Sequence, residues 1–127
     1  MFNILHLEDE KEFHNLVKDF LPEDSYQLYH APDTIEALKL INFVDFDFVI
    51  SDFYLNSNIT SSNFIKKLKS ALPEVPIAIH SSASLVEISR NILLNSNISV
   101  WEKTEMRKMC LFIKYELSQR QTKKVAV

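Results

Sequence analysis

Three short apolar runs in this chain each end on a side chain that can handle a charged ligand. Phe46 to Ile50 is followed by Ser51 and Asp52. Ile4-Leu5-His6-Leu7 is followed by the acidic cluster Glu8-Asp9-Glu10, and Ile98 to Trp101 is followed closely by Lys103. If the runs are strands of an open parallel sheet, these residues meet where such sheets bind ligands, outside the carboxyl ends of the strands. Carboxylates from two strand ends and an ammonium from a third point to phosphate handling that depends on a divalent cation. Crowded carboxylates repel one another, and a hard cation with oxygen ligands relieves the repulsion.

The elements needed to position these residues are legible as alternating runs. Phe13, Leu16, Val17 and Phe20 recur at helical spacing after the first strand, and Pro22 stops that helix. Tyr26 to His30 is a second strand. Asp33, with Glu36 three residues on, caps a helix carrying Ile35, Leu38 and Ile41. After the strand Phe46 to Ile50, a stripe of Phe64, Ile65, Leu68 and Leu72 reads as a third helix, with Thr60, Ser61 or Ser62 as its cap. Pro73 and Pro76 bracket the approach to a fourth strand, Ile77 to His80. Ser84 and Glu87 form a capping box before Leu85, Ile88, Ile92 and Leu93, and Ile98 to Trp101 is the fifth strand. A last helix starts near Thr104 with Met106, Met109, Cys110, Ile113 and Leu117 facing inward, and about Arg120 to Val127 is expected to fray.

Five β–α units demand a parallel sheet covered on both faces by helices. With right-handed crossovers, the flavodoxin-like (βα)5 order 2-1-3-4-5 is favoured. That order sets Glu8, Asp9 and Asp52 side by side. The expected organisation is one domain over 1–119 and a short tail over 120–127.

Composition narrows the function classes. A net charge of −3, with lysines and arginines scattered, lacks the concentrated basic face that direct nucleic-acid binding requires. The single cysteine, Cys110, cannot close an internal disulfide and reads as a small core residue. No apolar run approaches a bilayer span, and Met1-Phe2-Asn3 has no basic leader region, so the expected location is cytoplasmic with no membrane partner. There is no glycine, so turns that need positive φ must use asparagine, with Asn56, Asn58, Asn63, Asn95 and Asn97 as the candidates.

Taken in order, these runs resemble the receiver domain of bacterial two-component response regulators. The segments that carry the likeness are Leu5 to Glu10, Asp47 to Asp52, Pro76 to Ser81, Ala31 to Leu38, and Lys103. The resemblance implies that Asp52 is the phosphoacceptor for a sensor histidine kinase or a phosphotransfer protein. It implies Mg²⁺ (or Mn²⁺) held by Asp9 and Asp52, by Glu8 through water, and by the backbone carbonyl of Tyr54. Ser81 and Lys103 would each bind an oxygen of the new phosphoryl group. The protein would be a phosphoacceptor with at most self-catalysed transfer and hydrolysis rather than an enzyme. It would be a monomer or weak dimer that signals to a protein partner through the face built from 84–119.

Some positions depart from the family pattern. Val100 stands where an aromatic switch residue is expected; it is stiff about χ1 and too small for that role. Trp101, beside it, should face the other side of the strand. Thr104 replaces the proline after the lysine, and Asn56 replaces the proline that follows the phosphoacceptor. These departures motivate an alternative, a degenerate pseudo-receiver that binds a protein partner independently of phosphorylation. A rival from another class is weaker. Asp45-Phe46-Asp47-Phe48-Val49 formally fits the Asp-x-Asp-x-Val signature of haloacid-dehalogenase-type phosphatases, but that signature must follow its strand and here it precedes the apolar run. Plainer readings also exist residue by residue. Glu8-Asp9-Glu10 could simply complement a helix dipole, Lys103 could be a surface lysine, and Ser81-Ser82 could be turn chemistry. His6 reads as a hydrogen-bonded core residue, Trp101 as packing or an interaction face, and the role of His80 is open.

Overall fold

Alternation of buried positions along each strand sorts the core onto two faces of one sheet, as the computed structural model of the chain shows. The structure describes residues 1–55, 59–60, 62–82 and 97–126. The helix expected over 84–95 lies outside the described residues, as do Ser61 and the expected turn residues Asn56, Asn58 and Asn95. Five strands form the sheet: β1 (Phe2–Leu7), β2 (Tyr26–Ala31), β3 (Phe48–Ser51), β4 (Ile77–Ser81) and β5 (Ile98–Glu102). All neighbours pair in parallel, in the order β2-β1-β3-β4-β5. This is the doubly wound flavodoxin-like order expected from the sequence.

Helices α1 (Lys11–Phe20), α2 (Thr34–Ile41), α3 (Ser62–Ala71) and α4 (Met106–Ala126) cover the sheet. Leu5, Leu7, Val49, Phe53, Ile77 and Ile79 pack with Phe64, Ile65 and Leu68 of α3 on one side. Ile4, Phe48, Ile50 and Ala78 pack on the other side with Val17, Met106, Met109, Cys110, Ile113 and Leu117. Each fully buried aliphatic or aromatic side chain contributes about 1.5–3 kcal/mol, so the two layers supply the main drive for folding. Trp101 belongs to the second layer and Val100 to the first, on opposite sides of β5 as expected.

Several local expectations are corrected. Helix α1 does not turn Leu16 and Phe20 inward; both are exposed, and the inward positions are His14 and Val17, with Leu21 just beyond. On the inward face His14 meets His6 across the interface, with their Nδ1 atoms 3.0 Å apart. On α2, Ile35 and Leu38 are exposed, while Ala37 is buried and Leu40 and Ile41 pack against the core. β3 begins at Phe48 rather than Phe46, because the Asp47 carboxylate accepts the Asn3 backbone N–H at 2.8 Å and ties off the strand's start. Asn63 lies within α3, not in a turn. The segment expected to fray at Arg120 continues as helix to Ala126, and the Arg120 guanidinium donates to the carbonyls of Asp47 and Glu74.

The cap on α2 stands as read: the Asp33 carboxylate accepts the Glu36 backbone N–H at 2.8 Å. Replacing Asp33 by Ala should cost about 1 kcal/mol in urea unfolding. A loss below a few tenths would mean that the cap contributes nothing to α2.

Candidate functional site

Strand register brings the acidic residues together. Leu7 pairs with Ser51, and the Asp52 backbone N–H donates to the Leu7 carbonyl at 2.9 Å. The residues that leave the two strands, Glu8 and Asp52, are therefore neighbours. A carboxylate oxygen from each of Glu8, Asp9 and Asp52 lies within 4.8 Å of the others, with Glu8 and Asp52 buried and Asp9 partly exposed.

Lys103 enters this cluster from the far side. It is the first residue of a single 3-10 turn (Lys103–Glu105) that joins β5 to α4. Its ammonium pairs with Glu8 Oε1 and lies 3.5 Å from Asp52 Oδ2, with the side chain only 13% exposed. The other Glu8 oxygen accepts the Glu10 backbone N–H at 3.2 Å. The ammonium also lies 4.1 Å above the centre of the Phe13 ring. Cation–π attraction of this kind contributes about 0.5–2 kcal/mol, and here it fixes the third side of the ammonium. Ser81 is buried at the end of β4, where its register partner is Glu102, next to Lys103.

The electrostatics follow from this crowding. Burial pushes the Glu8 carboxyl up to about 7; the Lys103 ammonium pulls against that, and Asp52 adds to it. Burial likewise raises Asp52, again opposed mainly by Lys103. One ammonium cannot fully compensate three carboxylates. The remaining negative charge, an all-oxygen donor set and an exposed edge at Asp9 suit a hard divalent cation such as Mg²⁺, which keeps several waters. Asp45 and Asp47 precede β3 at its opposite end, so the phosphatase-type signature has no place in this site.

Phe13, His14 and His30 are site neighbours that the sequence did not reveal. Helical spacing marked Phe13 as apolar, but no local pattern tells that its ring meets an ammonium 90 residues later. His6 is a buried, hydrogen-bonded residue as read, with its Nδ1 3.0 Å from His14 Nδ1. His80 is buried beside the site, and neither ring nitrogen has a hydrogen-bond partner among the described residues. Burial pushes it down to about 4; the Lys103 charge adds to this and the Lys103 backbone partly offsets it.

No protein-family model matches the sequence. Solved structures match the fold over nearly all of the chain. A CheY-like response regulator receiver domain protein from Methanospirillum hungatei superposes with a TM-score of 0.81 at 19% identity, covering 97% of this chain and 98% of that one. The response regulator TrrA from Thermotoga maritima, solved in complex with Mg²⁺ and BeF, gives 0.73 at 21% identity, covering 91% and 98%. A Burkholderia pseudomallei response regulator with a phosphorylated aspartic acid and a calcium ion gives 0.77 at 20% identity, covering 98% and 73%. The fold is that of the response-regulator receiver domain.

The histidines set the acid stability. His14 and His80 take up protons in the unfolded chain near 6.5 but in the folded one only at about 4, in both cases chiefly through burial. The unfolded state therefore binds more protons between these values, and stability present above about 6.5 is lost as pH falls toward 4. Glu8 works in the opposite direction between about 7 and its ordinary value, so it offsets part of the loss. Replacing His80 by Leu removes a buried ring whose nitrogens make no hydrogen bond among the described residues and should stabilise by about 1–3 kcal/mol. The gain in melting temperature should be larger at pH 5 than at pH 7.5; destabilisation at both would contradict the reading.

Proposed function

We propose that this chain is a phosphoacceptor of a two-component system, taking a phosphoryl group onto Asp52 from the phosphohistidine of a sensor kinase or a phosphotransfer protein. The observation that carries the reading is the shared position of Lys103 between Glu8 and Asp52, with Asp9 beside them. In the transfer, the histidine N–P bond breaks, a bond forms between phosphorus and an Asp52 oxygen, and the donor imidazole leaves. Such transition states carry charge on the equatorial oxygens, so positioning and charge stabilisation are what a protein can supply. Lys103, whose ammonium lies 3.5 Å from Asp52 Oδ2, would meet one of those oxygens, and the Ser81 hydroxyl would donate to another.

Glu8, Asp9 and Asp52 would hold Mg²⁺, with the Tyr54 carbonyl as the further ligand that the resemblance implies. The ion would neutralise charge on the phosphoryl oxygens. The protein acts as a phosphoacceptor rather than a turnover enzyme. Its output is by protein contact, and the strand and helix that follow Asn97 offer a surface for it. Leu111 and Tyr115 lie one turn apart on α4 and are 55% and 61% exposed. Val100, partly buried against the first core layer, favours a second reading in which partner binding does not follow phosphorylation.

Two measurements separate these readings. Intact mass after incubation with Mg²⁺ and acetyl phosphate should show one phosphoryl on the wild type and none on Asp52→Asn. Addition to neither would leave a phosphorylation-independent binding module as the better account. Millimolar Mg²⁺ should also raise the melting temperature, by mass action on the folded state. The rise should be smaller at pH 6 than at pH 8, because Glu8 binds a proton below about 7, and smaller again in Asp9→Asn. An equal rise in all these cases would place the ion elsewhere.

A further inference from the structure

Among the described residues, His80 is the buried side chain whose polar atoms are left without any hydrogen-bond partner, and it is 1% exposed. Nearly all buried polar groups in folded chains are bonded, because an unpaired one is costly, so the exception calls for a use. Its place follows from strand register. Ser51 pairs with Ile79, so Asp52 and His80 leave β3 and β4 side by side. Phe48, Ile50 and Ala78 lie in the second core layer, and alternation turns Asp52 and His80 to that same side of the sheet. On its other flank His80 pairs with Trp101, also of the second layer.

Lys103 starts from the end of β5, and its ammonium reaches Asp52 on β3 and Glu8 on β1, beside the Phe13 ring of the second layer. β4 lies between β5 and β3. The lysine stem therefore crosses the end of β4 on the side where His80 sits, and the imidazole is its floor. Both the charge and the main chain of Lys103 act on the ring. An aliphatic side chain would fill this place at no polar cost, so packing alone does not account for a histidine. An imidazole carries at least one N–H whatever its charge, and a backbone carbonyl has two lone pairs to receive it. The Lys103 carbonyl stands at the start of the 3-10 turn between β5 and α4, followed by Thr104 rather than a proline with its fixed φ.

We propose that His80 is a positioning residue for Lys103: its ring N–H bonds the Lys103 carbonyl when the ammonium moves from Glu8 to a phosphoryl group on Asp52, and so holds the turn after β5 in place. The inference rests on the phosphoacceptor reading of Asp52. In the resting molecule the ammonium is drawn to Glu8 and the imidazole is left unbonded. Once a divalent ion takes Glu8 and a phosphoryl group occupies Asp52, the ammonium follows the new charge and the turn shifts with it. The bond then belongs to the loaded state alone, and an interaction made in only one of two states shifts the balance toward that state. His80 acts through Lys103, and its cost to the resting fold is the counterpart of that gain.

The test compares His80→Leu and His80→Gln with the wild type as full chains, using acetyl phosphate for transfer and beryllofluoride with Mg²⁺ for the loaded state. His80→Leu should melt higher than the wild type, yet hold beryllofluoride and accept phosphoryl roughly three- to tenfold less well, the range that one neutral hydrogen bond supplies. His80→Gln keeps an N–H donor and should recover most of that loss. In the ¹⁵N-labelled wild type, the His80 imidazole N–H resonance should move downfield on loading, as a newly formed hydrogen bond requires. A histidine that only fills space would change the melting temperature and leave loading alone. The proposal is overturned by a His80→Leu chain that loads as well as the wild type, by a Gln variant no better than Leu, or by an imidazole resonance that loading does not move. No bound beryllofluoride in the wild type would instead overturn the phosphoacceptor reading, and this proposal with it.

Discussion

One ammonium group holds the functional end of this molecule together. Two buried carboxylates, Glu8 and Asp52, are forced side by side by the register of β1 and β3. Unit charges about 4 Å apart interact by about 4 kcal/mol at the effective dielectric of a protein near its surface, so the pair calls for a counter-charge or a proton on Glu8. Lys103 supplies the counter-charge from the end of β5, two strands from β3 and three from β1, steadied by the Phe13 ring. The sheet order found here sets the ends of β1 and β3 side by side, and Lys103 reaches them from the edge strand β5.

The same constraint explains why the site is chemically poised. An ammonium shared between two carboxylates can be drawn away by a divalent ion on the acids or, in the proposed function, by a phosphoryl group on Asp52. The residues around it are rigid by construction: β3 and β4 are fully buried, and Asp52 and Ser81 are the last polar groups before the chain turns away from the sheet. Val100 adds no aromatic lever to that frame.

Much of this was legible in the sequence. Apolar runs ending in Asp52, Glu8-Asp9 and Lys103 fixed the strand ends, and strict alternation of elements left few topologies. The inward face of α4 was read residue for residue, because a long helix on a sheet keeps a regular apolar stripe. The faces of α1 and α2 were misread for a physical reason. Both helices are short, and apolar periodicity alone counted Leu16, Phe20 and Ile35 as core while a histidine and an alanine took the inward positions. A buried His14 is affordable only because His6 satisfies it, and that partner is set by tertiary contact rather than by spacing. The pairing of Lys103 with Phe13 was hidden for the same reason. Asp33 accepts a backbone N–H three residues on, which has a sequence pattern, whereas Asp47 accepts one from Asn3, 44 residues away, which has none.

The account stands most directly on whether Asp52 can carry a phosphoryl group between Lys103 and the acidic cluster. Beryllofluoride, a stable mimic of that group, can be titrated with Mg²⁺ and followed by ¹⁹F nuclear magnetic resonance. A bound resonance that needs Mg²⁺, is absent from Asp52→Asn and is much weakened in Lys103→Ala is the expected result. No bound resonance in the wild type, or one that persists in Asp52→Asn, would contradict the assignment of this site.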